Sequence, residues 1–388
     1  MKIVTAVCEY NPFHNGHATH LNYINDTLKP DYTVVILSGN FTQRGEPSVV
    51  DKYTRAVWAI KAGADAVIEL PTVFATSTAE LFGSGAIKLI NALPFNKEIC
   101  FGAENDNVEG LINLAKFMLD ETPEFKQILK GELDKGEPLL KARITALKET
   151  LGDKIDTSFL DSPNNILGLE YVKAILKNNY DIKVNALRRL GSGYNDDKLN
   201  ANLSSALAIR KAIENGTAID GNIPSYVLND LPTHLPNVDK EIYYSILTSS
   251  LLDIKSTLEC AEGLENKVKT LSRECTNVED ILARLKTKRY TDARLRRILL
   301  ATMLKISGNF IKECLNSDLY LKVLAINKNK PEILSVLSNS KYPIITRKSD
   351  AKNLTGTALK CFEKDVLASD IYTGATGKKL NEFDMKIV

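Results

Sequence analysis

Residues Met1–Leu21, MKIVTAVCEYNPFHNGHATHL, decide the fold. Ile3–Val7 is short and β-branched, the pattern of a buried strand. A loop with Asn11, Pro12 and Phe13 follows, and His14, Asn15, Gly16 and His17 open a helical pattern running from Gly16 to Leu28. Gly16 lets backbone approach a ligand closely, because no Cβ intervenes. A helix starting here aims unpaired N–H groups and a positive dipole end at the crevice beyond the strand. His14 and His17 fall on one face of the first turn, placed to donate hydrogen bonds to charge developing at an attacked α-phosphorus. These parts make a cradle for a triphosphate. Two plainer readings stay open: a metal held by His14, His17 and His20, though no Cys, Asp or Glu ligand pattern accompanies them, and ordinary polar capping of a helix start.

Beyond this segment, strand and helix patterns alternate. Thr33–Leu37, Ala66–Leu70, Ile99–Phe101 and Ile182–Leu187 read as strands. Lys52–Ala62, Ser77–Ala92, Val108–Leu119 and Pro163–Lys177 read as helices. Such alternation predicts a doubly wound α/β domain with a parallel sheet and right-handed crossovers, ligands sitting beyond the strand carboxyl ends. From about Ile223 the texture changes. Pro224, Pro232 and Pro236 punctuate a linker-like stretch, and helical periodicity follows at Glu241–Leu252, Glu259–Arg273, Val278–Leu285 and Thr291–Lys305. Strand-like runs return at Leu319–Ile326 and Tyr342–Thr346. The expected organisation is an α/β domain over 1–222 and a mainly helical domain with a small α/β tail over 223–388.

The 388 residues suffice for two or three domains, since single cores rarely exceed roughly 250–300 residues. Hydrophobic residues at 44% and charged residues at 25% fit a globular chain and argue against disorder. No apolar run reaches the ~18–20 residues of a membrane span, and the first residues lack a secretory pattern. Six scattered cysteines (8, 100, 260, 275, 314 and 361) suggest reduced thiols in a cytoplasmic protein.

A second segment, Asn202–Lys211 (NLSSALAIRK), places Ser204 and Ser205 at a helix start, with Arg210 one and a half turns on. Hydroxyls, free N–H groups and a guanidinium there could grip the leaving β- and γ-phosphates. Alone, the segment reads more readily as an N-cap serine and a surface arginine; it is the pairing with the first segment that points to phosphate.

The pairing of H-x-G-H with this serine–arginine segment resembles the nucleotidyltransferase superfamily. Longer strings resemble one of its members, the tRNA(Met) cytidine acetate ligase family. They are EYNPFHNGH (Glu9–His17), LSGNFTQRGEP (Leu37–Pro47), ELP (Glu69–Pro71), FGAE (Phe101–Glu104), SPNNILGLEY (Ser162–Tyr171), RRLGSGYND (Arg188–Asp196), NLSSALAIR (Asn202–Arg210) and RLKTKRYTDARLRRIL (Arg284–Leu299). The serine motif departs from the commoner I-S-S-T form, with Leu203 and Ala206 in the flanking places.

The resemblance implies an enzyme that joins acetate to ATP as acetyl-adenylate and passes the acetyl group to the wobble cytidine of elongator tRNA(Met), giving N4-acetylcytidine without coenzyme A. It implies ATP contacts from the Val7–His20 segment (Val7, Cys8, Glu9, Tyr10, Asn11, Pro12, Phe13, His14, Asn15, Gly16, His17, Ala18, Thr19 and His20). Gly102, one of Asn164 and Asn165, and one of Arg188 and Arg189 add to these, with Asn165 and Arg189 favoured. Residue chemistry agrees where it speaks. Gly102 ends a strand and leaves room for ribose or adenine, Pro163 opens a helix carrying the asparagine pair, and Arg188 and Arg189 follow a strand at its ligand end. A turn glycine and turn asparagines remain the alternatives. Gln43 and Arg44 lie in the loop after the second strand, able to close over phosphate or substrate, unless Arg44 serves a structural ion pair.

Acetate is already ionised at neutral pH and needs no general base. It needs relief from the triphosphate's charge, supplied by cations, helix N–H groups and Mg²⁺ travelling with the nucleotide. For RNA, charge distribution is the signal. Residues 1–220 hold 24 basic and 28 acidic side chains, whereas residues 281–364 hold 18 basic and 6 acidic. Such a surplus attracts polyanions. Arg284, Lys286, Lys288, Arg289, Arg294, Arg296 and Arg297 surround Tyr290, a track suited to backbone contact with one stacking platform. Lys341, Arg347, Lys348 and Lys352 extend it. Two rivals share parts of this pattern: a small-molecule adenylyl- or cytidylyltransferase, and a non-catalytic RNA-binding protein. Oligomeric state is not legible.

Overall fold

The computed structural model describes residues 1–189, 204–287 and 290–388. Five parallel strands form the heart of it: β1 (Lys2–Cys8), β2 (Tyr32–Ser38), β3 (Ala66–Leu70), β4 (Asn96–Ala103) and β5 (Ile182–Arg188), ordered β5-β4-β1-β2-β3. Alternation along each strand separates two cores. Val4, Ala6, Val35 and Leu37 point into one, with Leu21 and Trp58. Ile3, Val34, Ile36 and Ile68 point into the other, with Ile87 and Val172. Helices α1 (Asn15–Tyr23) and α2 (Lys52–Lys61) cover the first face. On the second lie α3 (Ala79–Ala92), and α4 (Val108–Leu119), packed on a later helix. The expected Gly16–Leu28 helix continues past α1 as a wider π turn, Ile24–Leu28, and stops at Lys29 in left-handed geometry.

Between β4 and β5 come α5 (Pro123–Asp134), α6 (Leu139–Leu151) and α7 (Pro163–Lys177); α8 (Ala206–Glu214) follows β5. Pro163 sits at the first helical position after Ser162, where its missing N–H costs nothing. Strand order reverses between β1 and β4, so the loops after these two strands diverge and leave a crevice.

The remaining chain forms a helical layer, α9 (Asp239–Thr248), α10 (Leu264–Glu274), α11 (Val278–Leu285) and α12 (Asp292–Met303), and then returns to the sheet. Strand β6 (Leu321–Ile326) lies antiparallel on β3, β7 (Ile344–Ile345) and β8 (Lys386–Ile387) pair with β6, and the 21-residue helix α13 (Gly356–Thr376) precedes β8. The sheet is therefore mixed where a parallel one was expected, because β6 enters from the opposite end after the helical layer. Segment 223–388 contributes three strands to it. Among the described residues no helix is long and apolar enough to cross a membrane, and all six cysteines are free thiols.

Candidate active site

The start of α1 is built by its histidines. His14 is the N-cap, and its Nδ1 accepts the Gly16 N–H at 3.1 Å. In return the His14 N–H donates to Nδ1 of His17 at 3.2 Å, a reciprocal cap made by two imidazoles. Their rings stack with centroids 3.7 Å apart and planes 24° from parallel. With both Nδ1 atoms accepting, the proton of each neutral ring resides on Nε2. A Cβ on Gly16 would stand 2.9 Å from the His14 Cε1, so glycine is required here for the cap to close. Tyr10 and Phe13 support the pair from below, with Tyr10 edge-on to His17 at 4.8 Å.

Burial keeps these rings uncharged. It pulls His14 down to about 3, helped by the nearby Arg189 guanidinium, and His20 down to about 4 for the same reasons. His17 falls well below its ordinary value through burial, then through His14, Arg189 and His20.

A cavity of about 380 Å³ opens at the β1/β4 switch point. Of the expected residues, its walls gather Val7, Cys8, Glu9, Tyr10, Asn11, His14, Gly16, His17, Thr19 and His20. They also include Gln43, Arg44, Gly102, Asn164, Arg188, Arg189, Ser205 and Arg210. Others lie behind the wall. Pro12 and Phe13 are buried beneath α1, and Ala18 packs against the same core. Asn15 donates through its backbone and side-chain amides to Asn222 O and Gly221 O. Ser204 is buried beside Ser205. Asn165 is buried too, its Oδ1 accepting the N–H groups of Glu104 and Asn105 at 2.7 and 3.3 Å. Within the asparagine pair it is Asn164 that faces the cavity. Ser205 caps α8 by accepting the Ala208 N–H at 3.1 Å, and Arg210 reaches back to donate to Asn11 O at 2.7 Å.

Two residues were not singled out in the sequence. Glu104 accepts from the Ser162 hydroxyl and the Asn164 amide, both at 2.6 Å, and its carboxylate lies 3.8 Å from Arg189 Nε. It thereby fixes the start of α7 against the end of β5. A Cβ on Gly102 would touch Arg189 Cγ at 3.2 Å, so that glycine makes room for the same arginine. Arg55, fully buried in α2, donates to the carbonyls of Val50, Ser38 and Glu9 at 3.1, 3.0 and 2.6 Å, and also to Gly39 O. The signal for it was a charged residue on the buried face of α2, a face it shares with the equally buried Lys52.

The basic track divides. Arg297 makes a bidentate pair with Glu259 at 2.8 and 3.0 Å, and Arg294 donates to Glu259 O at 2.6 Å while lying over the Tyr290 ring. Arg296 holds Asp292 at 3.0 Å and approaches Glu46 at 3.8 Å, and its backbone packs on Gly45. Arg284 pairs with Glu274 at 2.6 Å, half exposed, and Lys286 is exposed. Lys288 and Arg289 lie outside the described residues. Helix α12 thus abuts the loop that carries Gln43 and Arg44 to the cavity rim. Among the described residues no three His, Cys, Asp or Glu side chains gather as a metal site.

Over residues 1–386 the chain matches the family described as HIGH Nucleotidyl Transferase. It is 38% identical over 385 residues to the tRNA(Met) cytidine acetate ligase of Caldanaerobacter subterraneus subsp. tengcongensis, covering 96% of this chain and 95% of that protein. It is 37% identical over 388 residues to the enzyme of the same name from Clostridium perfringens, with the same coverage. The crystal structure of apo Thermotoga maritima TmcAL superposes with a TM-score of 0.91 at 29% identity, over the full length of both chains. The same protein bound with alpha-thio ATP gives 0.89.

Proposed function

The chain belongs to the HIGH nucleotidyl transferase family and, within it, to the tRNA(Met) cytidine acetate ligases, and from that premise we propose how its own residues carry the reaction. ATP occupies the cavity at the switch point, with the triphosphate against the start of α1. The Nε2–H groups of His14 and His17 donate to the α-phosphate oxygens as acetate attacks, and pyrophosphate leaves toward Ser205, the start of α8 and Arg210. Gly102, Asn164 and Arg189 hold the adenosine end. The observation that carries this reading is the reciprocal imidazole cap: it fixes two donors side by side and uncharged, ready for developing charge.

Arg44, at the rim, screens acetate from the triphosphate during approach. Mg²⁺ accompanying the nucleotide would supply charge neutralisation to the leaving pyrophosphate; among the described residues no cluster of three His, Cys, Asp or Glu side chains would hold it. The acetyl acceptor is elongator tRNA(Met). Its wobble cytidine leaves the anticodon stack and enters from the side of the Gln43–Gly45 loop and α12, while Lys286 and Arg284 meet the backbone. In this division 1–222 carries the ATP chemistry and 223–388 the RNA, in the cytoplasm where ATP, acetate and tRNA reside.

The test is incubation of the protein with ATP, labelled acetate and total tRNA, followed by nucleoside analysis. Label appears in N4-acetylcytidine alone if the reading holds. Pyrophosphate release that depends on a phosphorylated small molecule instead of acetate would replace it with an adenylyl- or cytidylyltransferase.

A further inference from the structure

Glu9 is the one acidic side chain among the described residues lining the cavity; the charged groups facing it there are the guanidiniums of Arg44 and Arg210. A site that receives a triphosphate and a carboxylate is opposed, not helped, by a fixed negative charge beside them. Glu9 is nevertheless held in place. Its Oε1 accepts the Gln43 N–H at 2.7 Å, and no cation among the described residues lies within ion-pairing distance of it. Its second oxygen is left to the cavity. The adjoining wall is aromatic: Phe82, Phe101 and Tyr171 line it, and the buried Tyr171 hydroxyl has no hydrogen-bond partner among the described residues. A carboxylate oxygen beside aromatic faces complements the amino edge of cytosine, since carboxylates accept from N4 and unstacked bases settle on aromatic rings.

We propose that Glu9 is the acceptor for the exocyclic amine of the target cytidine, with the base against the aromatic wall, and that it takes the proton released on acetyl transfer. This rests on the acetyl-transfer reading above. The N4 lone pair attacks the acetyl carbonyl carbon of acetyl-adenylate and the C–N bond forms. The bond from that carbon to the phosphate oxygen breaks, AMP departs with the electron pair, and one N4 proton passes to the carboxylate of Glu9. Conjugation into the ring makes the free amine a poor nucleophile, and an N–H held by a carboxylate returns electron density to nitrogen. Burial raises the pKa of Glu9, opposed by the Gln43 N–H and by Arg210, Arg44 and Arg55, which suits a group that takes a proton and gives it up to solvent.

In Glu9→Gln the Gln43 N–H still holds the amide oxygen, so the amide nitrogen faces the cavity and sets donor against donor. Two readouts are taken on the full chain: acetate-dependent pyrophosphate exchange for the first half-reaction, and acetyl transfer to tRNA(Met) for the second. We expect transfer to fall about 100-fold further than exchange. Binding without ATP is compared for tRNA(Met) transcripts with cytidine or uridine at the wobble position. Wild type is expected to prefer cytidine by about 10-fold, and the variant to lose that preference. Equal loss in both half-reactions marks Glu9 as an anchor for the Gln43 loop or a metal ligand and overturns the proposal. So does a wild-type protein that binds both transcripts equally, whether or not the variant folds. A wild-type protein lacking acetate-dependent exchange overturns the underlying function as well, a separately visible failure.

Discussion

The His14 N–H donates to Nδ1 of His17 at 3.2 Å while the two rings stack 3.7 Å apart, so one residue caps the helix and the other orients the cap. Structural and chemical roles occupy opposite nitrogens of each ring. The Nδ1 atoms satisfy orphan amides of the first turn, which leaves the Nε2–H groups for phosphate.

This separation is testable at His14. Asparagine is a good N-cap and retains an acceptor for the Gly16 N–H but loses the Nε2 donor. His14→Asn should lower acetate-dependent pyrophosphate exchange by about 10²–10³-fold with unfolding stability nearly unchanged. His14→Ala should lose the same activity and a further ~1 kcal/mol of stability in urea. An asparagine variant with wild-type exchange would reduce His14 to a cap.

Arg55 ties the ends of β1 and β2 to α2 through four carbonyls, with no carboxylate in contact among the described residues. Arg55→Met keeps the aliphatic volume and strands those carbonyls in a buried site, at a cost of about 3–5 kcal/mol. Arg55→Lys should recover part of it. A loss under ~1 kcal/mol in urea unfolding for the methionine variant would show that water replaces the guanidinium.

What was legible and what was not divides by the range of the interactions. Strands β1–β3 are rich in β-branched residues and largely buried, so local sequence marks them to within a residue, whereas β4 starts three residues before the expected Ile99 and β5 is only partly buried. The strand–HxGH–helix unit carries its own geometry, and the phosphate end of the site followed from it. Helix α13 escaped notice because its buried stripe includes Asp365 and Ser369. Their partners are Thr72 N–H and Asn40, some 300 residues away, so the stripe looks polar until the chain folds. The antiparallel entry of β6 depends on where the helical layer ends, which no local pattern encodes. Asn164 and Asn165 are adjacent and alike; only the turn of α7 decides which faces the cavity. Arg294 and Arg297 read as surface charge until Glu259 is brought against them.

That last contact separates two kinds of basic residue. Arg297→Ala removes both hydrogen bonds to the half-buried Glu259 and should cost about 1–3 kcal/mol of stability. Lys286→Ala should leave stability unchanged and lower the slope of log affinity for tRNA against log salt by about 1. Salt-titrated binding and urea unfolding of both variants decide it. A lysine variant with an unchanged slope would remove Lys286 from the RNA surface.

Asp365 gives a pH dependence of opposite sign to the histidines. It lies beside the buried Lys52–Glu69–Lys322–Glu382 group, accepting the Thr72 N–H at 2.7 Å and the Tyr320 hydroxyl. Burial, then the charge of Glu69, pushes it up to about 7 against Lys52 and Lys322. Between the ordinary aspartate value and about 7, the folded protein holds a proton that the unfolded chain has released. Its contribution to stability therefore falls as pH rises through that window. His14 and His20 stay neutral in the folded protein down to about 3 and 4, whereas the unfolded chain protonates them near 6.5. Their contribution is complete above 6.5 and falls as pH drops, and His17 acts in the same direction. Three histidines outweigh one aspartate, so acidification from pH 6.5 to 4.5 should destabilise the wild type. Asp365→Asn deletes the opposing contribution and should steepen that fall, read as urea midpoints across the interval. Parallel curves for the two proteins would mean that Asp365 is ionised throughout, and that the lysines hold three carboxylates rather than two.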